Sequence, residues 1–159
     1  MVTVSGGLRR LVRAPGWPGD WKPTWSANGR MIAFVRIPDL GPDQVWVVRP
    51  DGSGRRRVAT AAEDESVPDP PDWSADSRRI AYMTEFVAGD IYLVRPNGTG
   101  RANLTPSHDA YLGPRWAPSG SGIAYSVMRP CGMNGPDNPC VSPQIVVQRT
   151  PDVAERANR

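Results

Sequence analysis

A single histidine, two cysteines and several carboxylates set among tryptophans are the side chains through which this 159-residue chain could do chemistry. His108 lies between Ser107 and Asp109 in a segment rich in proline, serine and aspartate. A nucleophilic triad needs the imidazole beside an activated serine, with a carboxylate orienting the far ring nitrogen. Neighbours on one loop do not make that arrangement, and no G-x-S-x-G elbow occurs in the chain. His108 is therefore expected as a loop residue at a binding edge, and the chain is read as non-enzymatic. Cys131 and Cys140 bracket the stretch CGMNGPDNPC, whose glycines and prolines keep the ends of a short loop close together. A local disulfide fits there and would contribute about 2–3 kcal/mol in an oxidising compartment; two free thiols are the other reading. A structural zinc needs four ligands, which two cysteines and one distant histidine do not supply, and no D-x-[DN]-x-[DN]-G calcium loop is present. No metal and no cofactor are expected.

The carboxylates gather in loops. Residues 61–72, AAEDESVPDPPD, carry Glu63, Asp64, Glu65, Asp69 and Asp72; residues 14–22 carry Trp17, Asp20 and Trp21; residues 106–113 carry His108, Asp109 and Tyr111. Acidic groups interleaved with aromatics suit a peptide or a cationic partner, because aromatic rings supply contact energy at low entropic cost. Trp17, Asp20, Trp21, Glu63, Asp64, Asp69, His108, Asp109 and Tyr111 are the candidate contacts for a protein or peptide partner. A solvated acidic loop, with the tryptophans packed on the body of the protein, is the competing reading.

What must position these loops follows from composition and repetition. Eighteen prolines and 16 glycines make about 21% of the chain, below the roughly 25–30% of low-complexity disorder, and leave little room for long helices. No apolar run is long enough to span a membrane as a helix. The net charge is +3 with a pI near 9.2, which raises the question of nucleic acid. Arg9, Arg10, Arg55, Arg56, Arg57 and Arg101 fall in predicted outer strands, where charge blunts edge-to-edge pairing, so no nucleic-acid partner is expected. The opening residues 1–7 hold no apolar core after a basic start, hence no signal peptide in this chain.

Three segments align without gaps: PTWSANGRMIAF from Pro23, PDWSADSRRIAY from Pro71 and PRWAPSGSGIAY from Pro114. Their tryptophans Trp25, Trp73 and Trp116 are 48 and 43 residues apart. A second motif recurs downstream, VWVVRPDGSGR from Val45 and IYLVRPNGTGR from Ile91. Each unit reads as four strands: one ending at the tryptophan, one over residues 31–37, one over 44–49 or 90–95, and one over 55–60 or 101–105. Asp51-Gly52 and Asn97-Gly98 are strong hairpin signals, since both residues tolerate positive φ. Ala33, Ala81 and Ala124 each sit between two bulky residues, giving a sheet with one bulky and one flat face. Four-stranded units of this length that stack face to face are the blades of a β-propeller.

The segment WSANGRMIAF from Trp25, with RPDGSG from Arg49 and the closing Asn103-Leu104-Thr105, resembles the TolB-like propeller repeat, whose pattern is P-x-W-S-P-D-G-K-x-I-A-F, then I-Y-x-x-x-x-D-G and L-T. Ala27 and Ala75 replace the pattern's proline, Ala117 replaces its serine, and no Asp-Gly turn follows Gln148. The resemblance implies an all-β partial propeller of about three four-stranded antiparallel blades, half of a six-bladed ring. The chain is then one domain over 1–159, with repeats near 14–60, 61–105 and 106–159 and residues 6–13 as the last strand of a preceding blade. It implies a non-catalytic scaffold binding protein or peptide on its loop rim. The alternative is the gating or substrate-binding part of a serine peptidase or polysaccharide-processing enzyme whose catalytic domain lies outside the chain. A periplasmic or extracellular place follows from the same resemblance, and a cytoplasmic one from the missing signal. Three blades do not close a ring of four to eight, so the chain is expected either as a fragment of a longer protein or as half of a homodimer, three blades plus three.

Overall fold

The alternation of small and bulky residues settles into sheets, as strand sterics require. The computed structural model describes residues 19–63, 65–84, 89–106, 109–133 and 139–150, with backbone alone for 129–133 and 139–141. Every regular element among them is a strand. They are β1 (Gly19–Trp25), β2 (Ile32–Ile37), β3 (Gln44–Val48), β4 (Arg56–Thr60), β5 (Asp72–Trp73), β6 (Ile80–Thr84), β7 (Asp90–Val94), β8 (Ala102–Asn103), β9 (Ala110–Trp116), β10 (Gly122–Met133) and β11 (Pro139–Arg149). They form three antiparallel sheets in the orders β1-β2-β3-β4, β5-β6-β7-β8 and β11-β10-β9. The first two sheets are four-stranded and the third has three strands among the described residues, so the protein is a partial all-β propeller of three blades. The strand expected over residues 6–13 lies outside the described residues.

The three tryptophans end β1, β5 and β9 and pair with Ile32, Ile80 and Ile123 across the first hairpin of each blade. The hairpin turn is built by one device twice. Ser26 Oγ accepts the Met31 N–H at 2.9 Å and Asn28 Oδ1 accepts the Arg30 N–H at 3.0 Å; Ser74 and Asp76 hold Arg79 and Arg78 at the same distances. Ser77 takes φ 59° where Gly29 and Gly120 take 69° and 75°, and its hydroxyl accepts the Asn28 N–H of the first blade at 3.1 Å. The second turn differs from the two-residue loop the sequence suggests. Gly52 N–H bonds Arg49 C=O at 2.8 Å and Arg49 N–H bonds Ser53 C=O at 3.0 Å. Among the described loop residues of this turn only Gly52 has positive φ, at 86°. The loop is thus three residues, Pro50 to Gly52, with proline presetting the turn and glycine alone taking the left-handed position. Pro96 to Gly98 repeats it.

The blades stack flat face to bulky face. Ala33, Val35, Val45 and Val47 of the first blade share one core with Trp73, Ile80, Tyr82 and Val94 of the second. Ala81, Met83, Ile91 and Leu93 of the second share another with Tyr111, Trp116, Ile123, Tyr125 and Val127 of the third. The small alanine and valine side chains leave the depth that an indole and a phenol fill, which is why a two-residue alternation produces a stack.

Candidate functional site

The antiparallel order brings the strand ends flanking residues 38–43, 61–71 and 104–109 to one rim, where the sequence places its candidate contacts. The first of these to be built is Asp20 on β1. It pairs with Arg36 across the β1–β2 ladder, Nε to Oδ1 at 2.7 Å and Nη2 to Oδ2 at 2.9 Å, with both side chains 12% exposed. This fork fixes both groups. The Arg36 guanidinium also lies 4.6 Å from the Trp46 ring centroid, so Asp20 serves a packed cluster on the first blade.

The acidic loop is committed in the same way. Glu65 accepts the Ala62 N–H at 3.2 Å, and Asp43 accepts the Val67 N–H at 2.9 Å. Asp69 accepts the Gly113 N–H at 3.0 Å and Asp72 accepts the Trp116 N–H at 2.6 Å, both reaching from the second blade to the third. Gly113, at φ 61°, precedes Pro114 in a bulge of β9, and Lys22, at φ 56°, precedes Pro23 in the matching bulge of β1. Lys22 Nζ donates to the carbonyls of Val67 and Pro68. These bonds chain the rim loops of neighbouring blades together. Asp69, expected as a ligand contact, is half-buried and satisfies a half-buried backbone donor that the bulge frees from its ladder.

Tyr111 is also corrected. Its ring is 8% exposed and meets Tyr125 edge-on at 5.6 Å between centroids, a place in the core between blades rather than on the rim. Trp21 is 43% exposed, Glu63 is exposed and Asp109 is half-buried. Trp17, Asp64 and His108 lie outside the described residues. β10 and β11 extend the hairpin so that Gly132 pairs with Cys140, which brings both cysteine backbones into strands rather than into a ten-residue loop. Their side chains, and with them the disulfide, lie outside the described residues. Among the described residues no group of three His, Cys, Asp or Glu could hold a metal ion.

Two features were not read from the sequence. Trp21, Pro23 and Trp25 wall an open groove of about 360 Å³ whose floor is Ile32, Phe34 and Val48. Trp25 is 59% exposed, whereas Trp73 and Trp116 are 6% and 8% exposed. The second is the use of the arginine after each glycine turn. Arg101 stacks 4.3 Å from the Tyr92 centroid and donates to the Tyr82 hydroxyl at 2.9 Å, and Arg55 lies 5.9 Å from Trp46. Its recurrence opposite an aromatic in the third strand of both repeats was the available signal. Burial pushes the Tyr82 phenol up to about 12, although the Arg101 guanidinium opposes the shift. Burial raises Tyr92 as well, helped by Asp90.

The fold these blades define is that of a TolB-like β-propeller. The structure superposes on TolB from Agrobacterium tumefaciens with a TM-score of 0.61 at 20% identity, covering 74% of this chain and 40% of that one. An acylaminoacyl peptidase from Pyrococcus horikoshii matches with a TM-score of 0.54 at 17% identity, over 75% of this chain and 18% of the peptidase. By sequence, dipeptidyl-peptidase 5 from Porphyromonas endodontalis is 28% identical over an alignment of 108 residues that covers 64% of this chain and 15% of the relative. No family model matches the chain. The chain spans less than half the length of each of these proteins, which include both TolB and peptidases carrying the same kind of fold.

Proposed function

We propose that this chain is a non-catalytic propeller scaffold that binds a protein or peptide on its loop rim, beside Trp21 and the acidic 61–66 loop. The observation that carries the reading is the cross-bracing of the rim. Asp43 and Lys22 hold the 65–69 loop to the first blade and Asp69 holds it to the third, so that a half-exposed indole and the exposed Glu63 stand on a braced platform. A platform ordered before binding loses little further entropy when a ligand arrives. Trp21→Ala should weaken capture of peptides from an immobilised random-sequence array by more than about tenfold, the scale of a lost aromatic anchor, with β-sheet circular dichroism unchanged. Capture that is indifferent to Trp21 would reject the rim assignment. A periplasmic or extracellular location belongs to the same proposal, on the resemblance to the TolB-like repeat.

The sequence match to a dipeptidyl-peptidase favours a second reading, in which the propeller admits or selects peptides for a catalytic domain encoded elsewhere in the same gene. A G-x-S-x-G segment downstream of Arg159 in that gene would decide for it.

A further inference from the structure

Charge is sorted along the direction of the strands. The β1–β2, β3–β4, β5–β6 and β7–β8 hairpins all turn at the end of the blades opposite the rim. Exposed arginines gather there, Arg30 and Arg78 in the inner turns and Arg49, Arg55, Arg95 and Arg101 around the outer ones. The turns of successive blades lie side by side: Ser77 Oγ accepts the Asn28 N–H at 3.1 Å, Gly120 abuts Ala75, and the 96–98 turn abuts the backbone of Arg57 and Val58. In these turns the carboxylates are Asp51 and Asp76, and each serves its own turn, accepting the Ser53 N–H at 2.8 Å and the Arg78 N–H at 3.0 Å. The rim has the opposite sign. Asp39, Asp43, Glu63, Glu65 and Asp69 lie there, while its Arg36 is forked to Asp20.

Neutral partners order the arginines of the turn end, so their charge is not cancelled. Arg49 and Arg95 fold back over Gly54 and Gly100, where a Cβ would stand 2.8 Å from the guanidinium Nη1, and reach the Ser53 and Thr99 hydroxyls at 3.3 and 3.5 Å. Arg101 lies on Tyr92 and bonds the Tyr82 hydroxyl, and Arg55 faces Trp46. Among the described residues no ion pair involves any of these arginines. Guanidinium groups held in this way lose little further freedom when an anion arrives.

We infer that the turn end of the protein lies against the surface of an anionic lipid bilayer, with the acidic rim turned to solvent. Adjoining turns from successive blades make a broad charged end rather than a groove for one strand of polymer. Each arginine near an anionic leaflet adds an attraction that fades within a screening length. The rim sets the orientation, because a surface that attracts one end of the molecule repels the other. A single-stranded nucleic acid needs rings on which its bases can stack, and the half-buried rings beside these arginines, Trp46 and Tyr92, already carry guanidinium groups. None of these arginines lies on the rim, so contact with a bilayer stands or falls apart from peptide capture there.

Co-sedimentation of the full chain with vesicles tests it. Vesicles of phosphatidylglycerol and phosphatidylcholine should retain the protein, and zwitterionic vesicles of phosphatidylcholine alone should not. Raising the salt from about 0.1 M to about 1 M should release it, since the screening length falls from about 10 Å to about 3 Å. Arg49→Gln and Arg95→Gln change exposed side chains. Each should weaken retention about fivefold, and the pair by more than about tenfold, with circular dichroism unchanged. Arg78→Gln, on a separate turn, should match either single change. Absence of retention on the anionic vesicles would overturn the proposal, as would equal retention on the zwitterionic ones or retention that persists in the double variant. Tighter binding to duplex DNA or to polyglutamate than to the vesicles at equal salt would overturn it too, by assigning the arginines to another class of partner.

Discussion

At the scale of single residues, the carboxylates act mainly inside the protein. Asp69 and Asp72 accept backbone N–H groups of the neighbouring blade, and Asp20 is forked to Arg36. A carboxylate oxygen is the natural partner for a donor that a bulge has released, because the alternative is an unsatisfied buried N–H at about 1–3 kcal/mol. Tyr82 gives this scale a pH signature. The folded protein holds its phenolic proton to about 12 because burial disfavours the phenolate, while an unfolded tyrosine releases it near its ordinary value of 10.0. Stability is therefore fully present below pH 10, falls as pH rises from there, and levels off near 12, a loss of about 2–3 kcal/mol. Urea midpoints measured across that window should fall in the parent chain and fall less in Tyr82→Phe, Tyr92 supplying a residual slope of the same sign. Identical slopes in the two proteins would refute the assignment.

At the scale of elements, equivalent residues in the repeat do different work according to what lies beside them. Trp73 is buried against the first blade, and its indole N–H bonds Thr24 C=O at 3.2 Å; Trp116 is buried against the second blade under Arg79, 4.9 Å from its ring. Trp73→Ala and Trp116→Ala should each cost about 3–5 kcal/mol through lost contact and a cavity. Trp25→Ala should cost less than about 1 kcal/mol, since its ring stands largely in water. Equal losses at all three positions in denaturant titrations would mean that the first blade is covered as the others are.

At the scale of the molecule, the protein is a one-dimensional array. The core between the first and second blades and the core between the second and third share no residue. Stability in such an array is close to a sum of blade and interface terms. Val45→Ala weakens the first core and Val127→Ala the second, and their losses should add within about 0.5 kcal/mol. A coupling above about 1 kcal/mol in the double-mutant cycle would show the blades to be packed as a single core.

The blades were legible because a strand writes its two faces into alternate residues. Trp-Ser-Ala-Asn-Gly and Arg-Pro-Asp-Gly each specify a turn through local hydrogen bonds, and Ala33, Ala81 and Ala124 mark the flat face wherever they stand. The short fourth strand β8, two residues against five expected, shows the limit of that local reading. Thr105 leaves the ladder and accepts the Ile91 N–H through its hydroxyl at 2.9 Å, a side-chain substitution for a backbone bond that composition does not reveal. The candidate site was less legible, because an aspartate in a loop looks the same whether it faces water or a neighbouring blade's N–H. The sequence alone determined the order of the strands, the places of the turns and the stacking of blades, all products of contacts between residues a few positions apart or at a fixed repeat. Only the tertiary structure decided that Asp69 bonds a neighbouring blade, that Tyr111 is buried and that Trp25, Ile145 and Val147 are exposed, because exposure depends on which blade stands opposite, a distance of some 45 residues that no local pattern encodes.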